Sequence, residues 1–423
     1  MSTAREAALA ALQKWRTNAA WSDAALNAAI GRAGLDRRDA ALASRICYGT
    51  LQNLALLDAV IDAYSSTPAR KLEPKVLDIL RISVYQLRFL QQIPAHAAVN
   101  EAVALCKKSG CGRASGLVNA VLRRVSEHPD ALPPLPEGEA ERLSVLYSHP
   151  KWLVELLLSE HDAAFVEAFL RANNDVPPVC LQTNTLKTTT SDLLQTLTEA
   201  GYPCEIHPAL PDALLCAGGD LAGTDAFRDG EFYIQDAAAR MAVLSAGAAP
   251  GMAVLDACAA PGGKSFAAAI QMQNTGSIRS CDLHENKLKR IREGAERLGI
   301  KILETAACDA RNQSGSYDVV LADVPCSGLG VIRKKPEIRY KEPTPLEKLP
   351  ALQGEILSRL ADCVKPGGVL LYSTCTILRR ENEAVAEAFL ASRSDFSCEE
   401  MRTLWPHVDG TDGFFICKLR RSL

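Results

Sequence analysis

Apolar residues in the first third of the chain recur at spacings of three and four positions. The clearest run extends from Leu77 to Leu90, where the apolar side chains fall on one face of a helix. Glycine and proline are confined to the joints between such runs, as at Ile93-Pro94-Ala95. This periodicity predicts helices throughout residues 4–128, which would pack together as an all-α bundle.

The pattern changes after residue 250, where short apolar runs alternate with helical stretches. The runs typical of buried strands are 252–256, 277–281, 302–306, 317–322 and 368–373. The helical stretches between and after them are 264–272, 284–298, 350–364 and 381–391. Strands that alternate with helices predict a Rossmann-like, doubly wound α/β sheet. A last apolar run at 414–417 is predicted to add an edge strand.

The middle of the chain has a mixed pattern. Residues 131–143 are rich in proline and acidic side chains, which is typical of an exposed linker. After it we predict helices at 152–159, 162–173 and 191–200, and strands at 179–184 and 232–234, which together indicate a small α+β subdomain. The predicted organisation is an all-α domain at 1–130, a linker at 131–143, an α+β subdomain at 144–240 and an α/β domain at 241–423.

The composition is that of an ordinary globular protein. Of the 423 residues, 48% are hydrophobic and 23% are charged. No run of eighteen apolar residues occurs, so no membrane span is expected. The N-terminus has no apolar signal core, so the fourteen cysteines predict a reducing cytoplasm with free thiols. Without a C-x-x-C pair or a Cys/His cluster at zinc spacing, we expect no metal.

Charge is distributed unevenly along the chain. The formal net charge of −3 combines +6 over residues 1–130 with −9 over the remainder. A basic helical domain permits a polyanionic partner, although a solvated helical surface accounts for the same charges equally well.

A glycine-rich turn follows the first predicted strand of the α/β domain. Its residues are Asp256-Ala257-Cys258-Ala259-Ala260-Pro261-Gly262-Gly263-Lys264. Paired glycines let the backbone approach a ligand closely, and the helix that follows offers free N–H groups. The spacing matches neither the dinucleotide fingerprint nor the P-loop. The turn therefore predicts a site for a nucleotide-like cofactor, for which NAD is the weaker candidate.

Three aspartates end successive predicted strands. Because ligands of open α/β sheets bind beyond the carboxyl ends of the strands, these side chains should border one site. We expect Asp282 to take ribose hydroxyls, Asp309 to meet an adenine and Asp323 to face the transferred group. A helix cap or turn is the alternative role for each of them, and for Asp309 it is as good an explanation. With the glycine-rich turn, the pattern favours S-adenosylmethionine as cofactor.

Two cysteines also follow predicted strands. Cys326 lies in Asp323-Val324-Pro325-Cys326-Ser327-Gly328, and Cys375 lies in Ser373-Thr374-Cys375-Thr376. Methylation at carbon 5 of cytosine needs a thiolate that adds to carbon 6, an acid or hydrogen-bond donor at the ring, and a way to expel the thiolate afterwards. The base must also leave its stack to reach such a site.

Cysteine alone is a weak indicator, because a buried free cysteine often acts as a small apolar side chain. We expect that role for Cys258, Cys281 and Cys308, although Cys258 also lies in the glycine-rich turn, whereas Cys326 and Cys375 should face the cofactor. The following basic residues, Arg333-Lys334-Lys335, predict a flexible loop that could bind phosphates, with an ordinary surface loop as the alternative.

These motifs resemble those of the Sun/Fmu-type RNA (cytosine-5) methyltransferases, and the resemblance extends over almost the whole chain. The helical region is similar to the antitermination factor NusB at residues 80–87, 93–103 and 118–123. The resemblance implies that Cys375 is the nucleophile and that Cys326 assists product release. It also implies cofactor contacts from Cys258 through Lys264 and from Asp282, Asp309 and Asp323, with Asp323 additionally holding the cytosine.

The function implied by the resemblance is methyl transfer from S-adenosylmethionine to carbon 5 of a cytosine in small-subunit (16S) ribosomal RNA, through a covalent cysteine–cytosine intermediate. Two alternatives stay open: the same reaction on transfer RNA, and a non-catalytic RNA-binding factor in ribosome assembly. The expected partner is small-subunit ribosomal RNA, with no DNA or membrane partner, and we expect a cytoplasmic monomer.

Overall fold

The computed structural model describes residues 3–18 and 22–423. The chain forms two compact units. The first extends to Asp175 and includes the separate segment Ile332–Lys341, and the second comprises Val176–Val331 and Glu342–Leu423. Within the described residues, no helix combines the length and apolar character that crossing a membrane requires.

The first unit is helical, as the periodicity predicted. Its α-helices are α1 (Ala4–Asn18), α2 (Ser22–Ala33), α3 (Arg37–Gln52), α4 (Leu54–Tyr64), α5 (Pro74–Phe89), α6 (Ala95–Lys108), α7 (Ser115–Glu127), α8 (Glu139–Tyr147), α9 (Lys151–Glu160) and α10 (Ala163–Ala172). Fully buried side chains such as Ile46, Leu57 and Leu80 form its core. Helix α8 begins inside the predicted linker, and the unit holds α8 to α10 together with the bundle.

Arg339 is the largest fully buried side chain in the described residues, and it lies in the segment Ile332–Lys341 of this helical unit. Its two Nη atoms donate hydrogen bonds to four backbone carbonyl oxygens, those of Gln52, Tyr147, Ser148 and Asn173, at 2.8 to 3.2 Å. Burial lowers the pKa of Arg339 to about 10, so the guanidinium stays charged at neutral pH. The prediction of a flexible loop is wrong at Arg333, which is buried and whose carbonyl accepts a hydrogen bond from Gln52.

Replacing Arg339 with methionine is expected to lower the free energy of unfolding of the helical unit by about 3 kcal/mol, because several buried carbonyl oxygens lose their donor at once. Urea denaturation followed by circular dichroism measures the loss. The matched control is Arg38→Met, an exposed arginine of the same unit, which should change stability by less than about 0.5 kcal/mol. Equal midpoints for the two variants would contradict the structural role of Arg339.

The second unit begins with a small antiparallel sheet. Its strands are β1 (Val179–Thr183), β2 (Cys204–His207), β3 (Leu210–Cys216) and β4 (Phe232–Ile234), in the order β2-β3-β1-β4. Helices α11 (Thr190–Glu199) and α12 (Asp225–Arg228) accompany them. The α+β prediction found β1, β4 and α11 and missed β2 and β3.

The β2–β3 hairpin also corrects the prediction that all thiols are free. Cys204 and Cys216 lie directly opposite each other in the hairpin register and form a disulfide. Cysteines paired in this way have Cα atoms close enough to be bridged, here 4.2 Å apart. The other twelve cysteines, all within the described residues, form no disulfide.

The rest of the second unit is a seven-stranded mixed sheet covered by helices. Its strands are β5 (Ala253–Asp256), β6 (Ser277–Asp282), β7 (Leu303–Ala307), β8 (Tyr317–Asp323), β9 (Val364–Thr374), β10 (Phe396–Leu404) and β11 (Phe414–Arg421). Its helices are α13 (Ala237–Ala246), α14 (Gly263–Gln271), α15 (Glu285–Leu298), α16 (Pro343–Leu346), α17 (Leu349–Ala361), α18 (Glu383–Ser392) and α19 (Pro406–Asp409). The predicted strands and helices of this domain are confirmed within a few residues.

The strand order is β10-β11-β9-β8-β5-β6-β7. Strands β5 to β9 run parallel to one another, whereas β11 runs antiparallel to both β9 and β10. The prediction of β11 as an edge strand is therefore wrong, because the polar strand β10 covers it. The ends of β5, β6, β8 and β9 place the predicted site residues along one edge of the sheet.

Candidate active site

The glycine-rich turn after β5 brings the backbone close to its surroundings. Gly262 has φ +113°, and a Cβ there would lie 2.5 Å from Phe266 Cζ. A Cβ on Gly263 would lie 2.9 Å from Gln235 Nε2. Helix α14 begins at Gly263 without a side-chain cap, so its first N–H groups remain available to a ligand.

Lys264 is the first charged residue of α14, and it forms an ion pair with Asp323 at the end of β8. Lys264 Nζ donates to Asp323 Oδ2 at 2.6 Å, and Ser373 Oγ donates to Asp323 Oδ1 at 3.0 Å. Burial by itself lowers the pKa of Lys264, but the neighbouring Asp323 carboxylate outweighs it, so the pKa lies above its ordinary value. The site therefore presents a fixed carboxylate and a fixed ammonium side by side.

The structure brings the two predicted cysteines together. Cys326 Sγ and Cys375 Sγ are 3.2 Å apart, although the residues are 49 positions apart in sequence. The hydrogen bond with Cys375, followed by burial, raises the pKa of Cys326 well above its ordinary value. Both cysteine residues are partly exposed.

Buried polar side chains hold the two cysteine loops in place. The Ser327 and Thr376 hydroxyls, each next to one cysteine, share a hydrogen bond of 2.7 Å. Glu381 Oε2 accepts from the Ser327 N–H at 2.9 Å and from Gln353 Nε2 at 3.0 Å. Gly330 N donates to the Cys375 carbonyl at 2.9 Å, and a Cβ on Gly330 would lie 1.8 Å from the Gly413 carbonyl oxygen. The spacing of the sulfurs is therefore set by a rigid shell.

The other predicted cofactor residues lie at neighbouring strand ends. Asp282 is buried, accepts from the His284 N–H and pairs with Lys287. Asp309 caps a short 3₁₀ helix, and hydrogen bonds from Arg311 lower the pKa of Asp309. Leu283, which follows Asp282, is 61% exposed and offers an apolar surface beside that carboxylate. The buried acid, the apolar side chain and the open glycine turn fit a nucleoside with a charged tail.

Sequence reasoning missed the Lys264–Asp323 pair and the shell formed by Ser327, Gln353, Thr376 and Glu381. Lys264 was expected only as a cofactor contact, because its neighbour is 59 positions away in the chain. Nothing in the sequence distinguishes Glu381 from a surface carboxylate, although the structure buries it completely. Cys258, by contrast, lies in the turn as expected, and burial raises the pKa of its thiol.

Asp256, at the end of β5, is expected to make stability depend on pH. The carboxyl is fully buried and accepts from Ser265 Oγ at 2.6 Å, and burial raises its pKa from 3.8 to about 6. The folded state keeps this proton longer than the unfolded state, so stability falls as pH rises from 3.8 to about 6. Relative to Asp256→Asn, the native protein should lose about 3 kcal/mol over this interval.

Urea titrations of both proteins at several pH values measure that difference. Asp212→Asn, at an exposed position of the same unit, serves as the control and should follow the native pH profile. If the free energies of unfolding of the native protein and Asp256→Asn changed with pH in parallel, the raised pKa of Asp256 in the folded state would be contradicted.

The sheet order and the glycine-rich turn after its first central strand define a Rossmann-like methyltransferase fold. Family models agree with this class. The model described as 16S rRNA methyltransferase RsmB/F matches residues 244–420, the NusB family model matches 2–127, and a ferredoxin-like domain model of RsmF/B-like methyltransferases matches 149–219.

Whole-chain relatives agree as well. Probable ribosomal RNA small subunit methyltransferase B of Bacillus subtilis (strain 168) is 36% identical, covering 100% of this chain and 99% of its own. Ribosomal RNA small subunit methyltransferase B of Serratia proteamaculans is 33% identical over 90% of each chain. The crystal structure of PH0851 superposes with a TM-score of 0.81 at 27% identity, covering 99% of this chain and 98% of that one. The chain belongs to the RsmB/F family of rRNA methyltransferases.

Proposed function

We propose that this protein methylates carbon 5 of a cytosine in small-subunit ribosomal RNA, with Cys375 as the nucleophile and Cys326 as the group that assists release. The observation that supports it most directly is the pair of sulfurs 3.2 Å apart at a sheet edge that also holds Asp323 and Lys264. The relatives' names favour small-subunit ribosomal RNA as the substrate.

Covalent addition makes carbon 5 nucleophilic. Cys375 Sγ bonds to carbon 6 of the cytosine, and the ring's electrons shift so that carbon 5 can attack a methyl group. The Lys264 ammonium can donate a hydrogen bond to the ring while the Asp323 carboxylate accepts one from the exocyclic amino group. Both groups are already fixed by their ion pair, so little reorganisation accompanies the reaction.

S-adenosylmethionine would supply the electrophilic methyl group. The residues placed to hold it are the backbone of Cys258 through Lys264, the Asp282 carboxylate for the ribose hydroxyls, and Leu283 beside the adenine. Asp309 is the weaker member of this set, because its carboxylate already caps a helix and pairs with Arg311.

Release requires loss of the carbon-5 proton and expulsion of Cys375. Once Cys375 Sγ is bonded to the base, its shared hydrogen bond with Cys326 is lost. That hydrogen bond is the largest influence raising the pKa of Cys326, so the pKa should fall at the step that needs a proton acceptor. The proximity of the two sulfurs thus links addition at one thiol to activation of the other.

The substrate is tested by transfer of a radiolabelled methyl group from S-adenosylmethionine to unmodified small-subunit ribosomal RNA and, in parallel, to unmodified transfer RNA. Label at cytosine carbon 5 in ribosomal RNA alone is the expected result. Label in transfer RNA alone would assign transfer RNA as the substrate and leave the proposed chemistry unchanged. If neither RNA accepts label and calorimetry detects no cofactor binding, the reading as a non-catalytic assembly factor takes its place.

A further inference from the structure

A cavity of about 390 Å³ lies in the second unit, beside the glycine-rich turn. Residues of α12, β4, the start of α14 and one face of α15 line it. Its apolar lining comes from Phe227, Tyr233, Ile234 and Phe266. Pro261 and Gly263 of the turn form part of its wall, so the cavity lies directly beside the candidate active site.

Two arginines of α15 stand over this apolar lining. The Arg297 guanidinium stacks on the Phe227 ring at 3.7 Å and donates to the carbonyl oxygens of Phe227 and Phe232. These contacts fix it as a flat cationic surface. Arg290, two turns earlier on the same face, is exposed, and the described residues provide its guanidinium with neither an ion pair nor a hydrogen bond.

Part of the apolar lining of this cavity is open to solvent. Ile234 is 49% exposed although it lies in a strand, directly before Gln235, which contacts Gly263 in the glycine-rich turn. Glu293 is the one acidic side chain among the residues that line the cavity. Lys289 Nζ lies 3.7 Å from Glu293 Oε1, and its positive charge offsets that of the carboxylate. The cavity therefore combines an apolar floor, a stacked guanidinium and an exposed cation. Such a lining suits a ligand that has a planar ring at one end and an anionic group at the other.

We propose that this cavity binds a nucleotide of single-stranded RNA that flanks the target cytosine. Proteins read single-stranded RNA by stacking bases on aromatic rings or arginine planes while cations contact the phosphates. In this cavity the Arg297–Phe227 stack and Ile234 receive the base, and Arg290 contacts its phosphate. Lys264 contacts Asp323 and directly follows the wall residue Gly263, so the cavity adjoins the residues proposed to hold the target base.

This inference rests on the proposed function, and its test separates the two. Binding of unmodified small-subunit RNA is measured at several salt concentrations for the native protein, Arg290→Ala, Arg290→Lys and Arg292→Ala. Arg292 is the matched control because it lies on the same helix but pairs with Glu285 and Thr305. S-adenosylmethionine affinity is measured by calorimetry in each case.

Arg290→Ala is expected to raise Kd and KM for RNA about tenfold, leave kcat unchanged, and reduce the slope of log affinity against log salt by about one. Arg290→Lys should restore most of the affinity, because the charge is retained, and Arg292→Ala should match the native protein. RNA carrying photoreactive 4-thiouridine should crosslink to peptides that contain Phe227 or Ile234.

Three outcomes would count against the site. Equal RNA affinity for Arg290→Ala and Arg292→Ala, in a native protein that still methylates RNA, overturns the cavity assignment alone. A loss of S-adenosylmethionine affinity in Arg290→Ala would assign the cavity to the cofactor instead. A native protein that neither binds nor methylates RNA overturns the proposed function and this site with it.

Discussion

Cys326→Ala is expected to accumulate a covalent protein–RNA adduct that survives denaturing electrophoresis. In the proposed mechanism the attack by Cys375 and the methyl transfer do not require the Cys326 thiol, whereas expulsion of Cys375 from the methylated base does. The two sulfurs are 3.2 Å apart, so removing one leaves the other free to attack and without its neighbour for the release step. Steady-state turnover should fall by about a hundredfold or more, within the range for loss of a positioned acid–base group.

The measurement combines the variant with unmodified small-subunit RNA and S-adenosylmethionine under reducing conditions, followed by a denaturing gel. The adduct should depend on S-adenosylmethionine and disappear after nuclease treatment. Cys398→Ala removes an exposed free thiol elsewhere in the same unit and serves as the control that should form no adduct and turn over normally. An adduct in the Cys398→Ala control, or none in Cys326→Ala while native turnover is intact, would reject the role of Cys326.

Cys375→Ser is expected to abolish turnover and to form no adduct, because a hydroxyl is a far weaker nucleophile than a thiolate near neutral pH. The rate should fall by at least about a thousandfold, as it does when a nucleophile is removed from an intact site. The Cys326→Ala, Cys375→Ser double variant should also lack the adduct. That result would identify Cys375 as the bonded sulfur.

Two controls test whether Cys375→Ser still binds the cofactor and still folds like the native protein. The S-adenosylmethionine affinity of Cys375→Ser should equal that of the native protein, since Cys375 lies outside the glycine-rich turn. Its circular dichroism and unfolding midpoint should be unchanged as well. Full turnover by Cys375→Ser would reassign the nucleophile, with Cys326 the remaining thiol at the site.

The elements that follow local rules were predictable. A helix with one apolar face or a buried parallel strand can be recognised from about ten residues. The helical character of residues 4–128 was therefore predicted, without bounds for the individual helices, and β5 to β9 were predicted within a few residues of their observed bounds. Short or polar strands were not predicted. Strand β2 has four residues, two of them exposed, and β10 alternates weakly because one of its sides lies open to solvent.

The neighbours of β11 in the sheet could not be predicted from the local pattern either. Its residues Phe414–Ile416 predicted a strand correctly, but local pattern does not state which strand lies next to it. Hydrogen bonds to β9 on one side and to β10 on the other make it an interior strand. The Cys204–Cys216 disulfide depends in the same way on the register of a hairpin that the pattern did not predict.

The residue types that carry the chemistry could be read from the chain alone, because two cysteines, a glycine-rich turn and aspartates all follow recognisable strand ends. Their distances became known only from the folded molecule: the 3.2 Å between Cys326 and Cys375, the Lys264–Asp323 ion pair, and the burial of Arg339 among four carbonyl oxygens. Strand ends are local features that a short stretch of sequence encodes. Contacts between residues 49 or 59 positions apart depend on sheet order and on packing, to which the whole chain contributes.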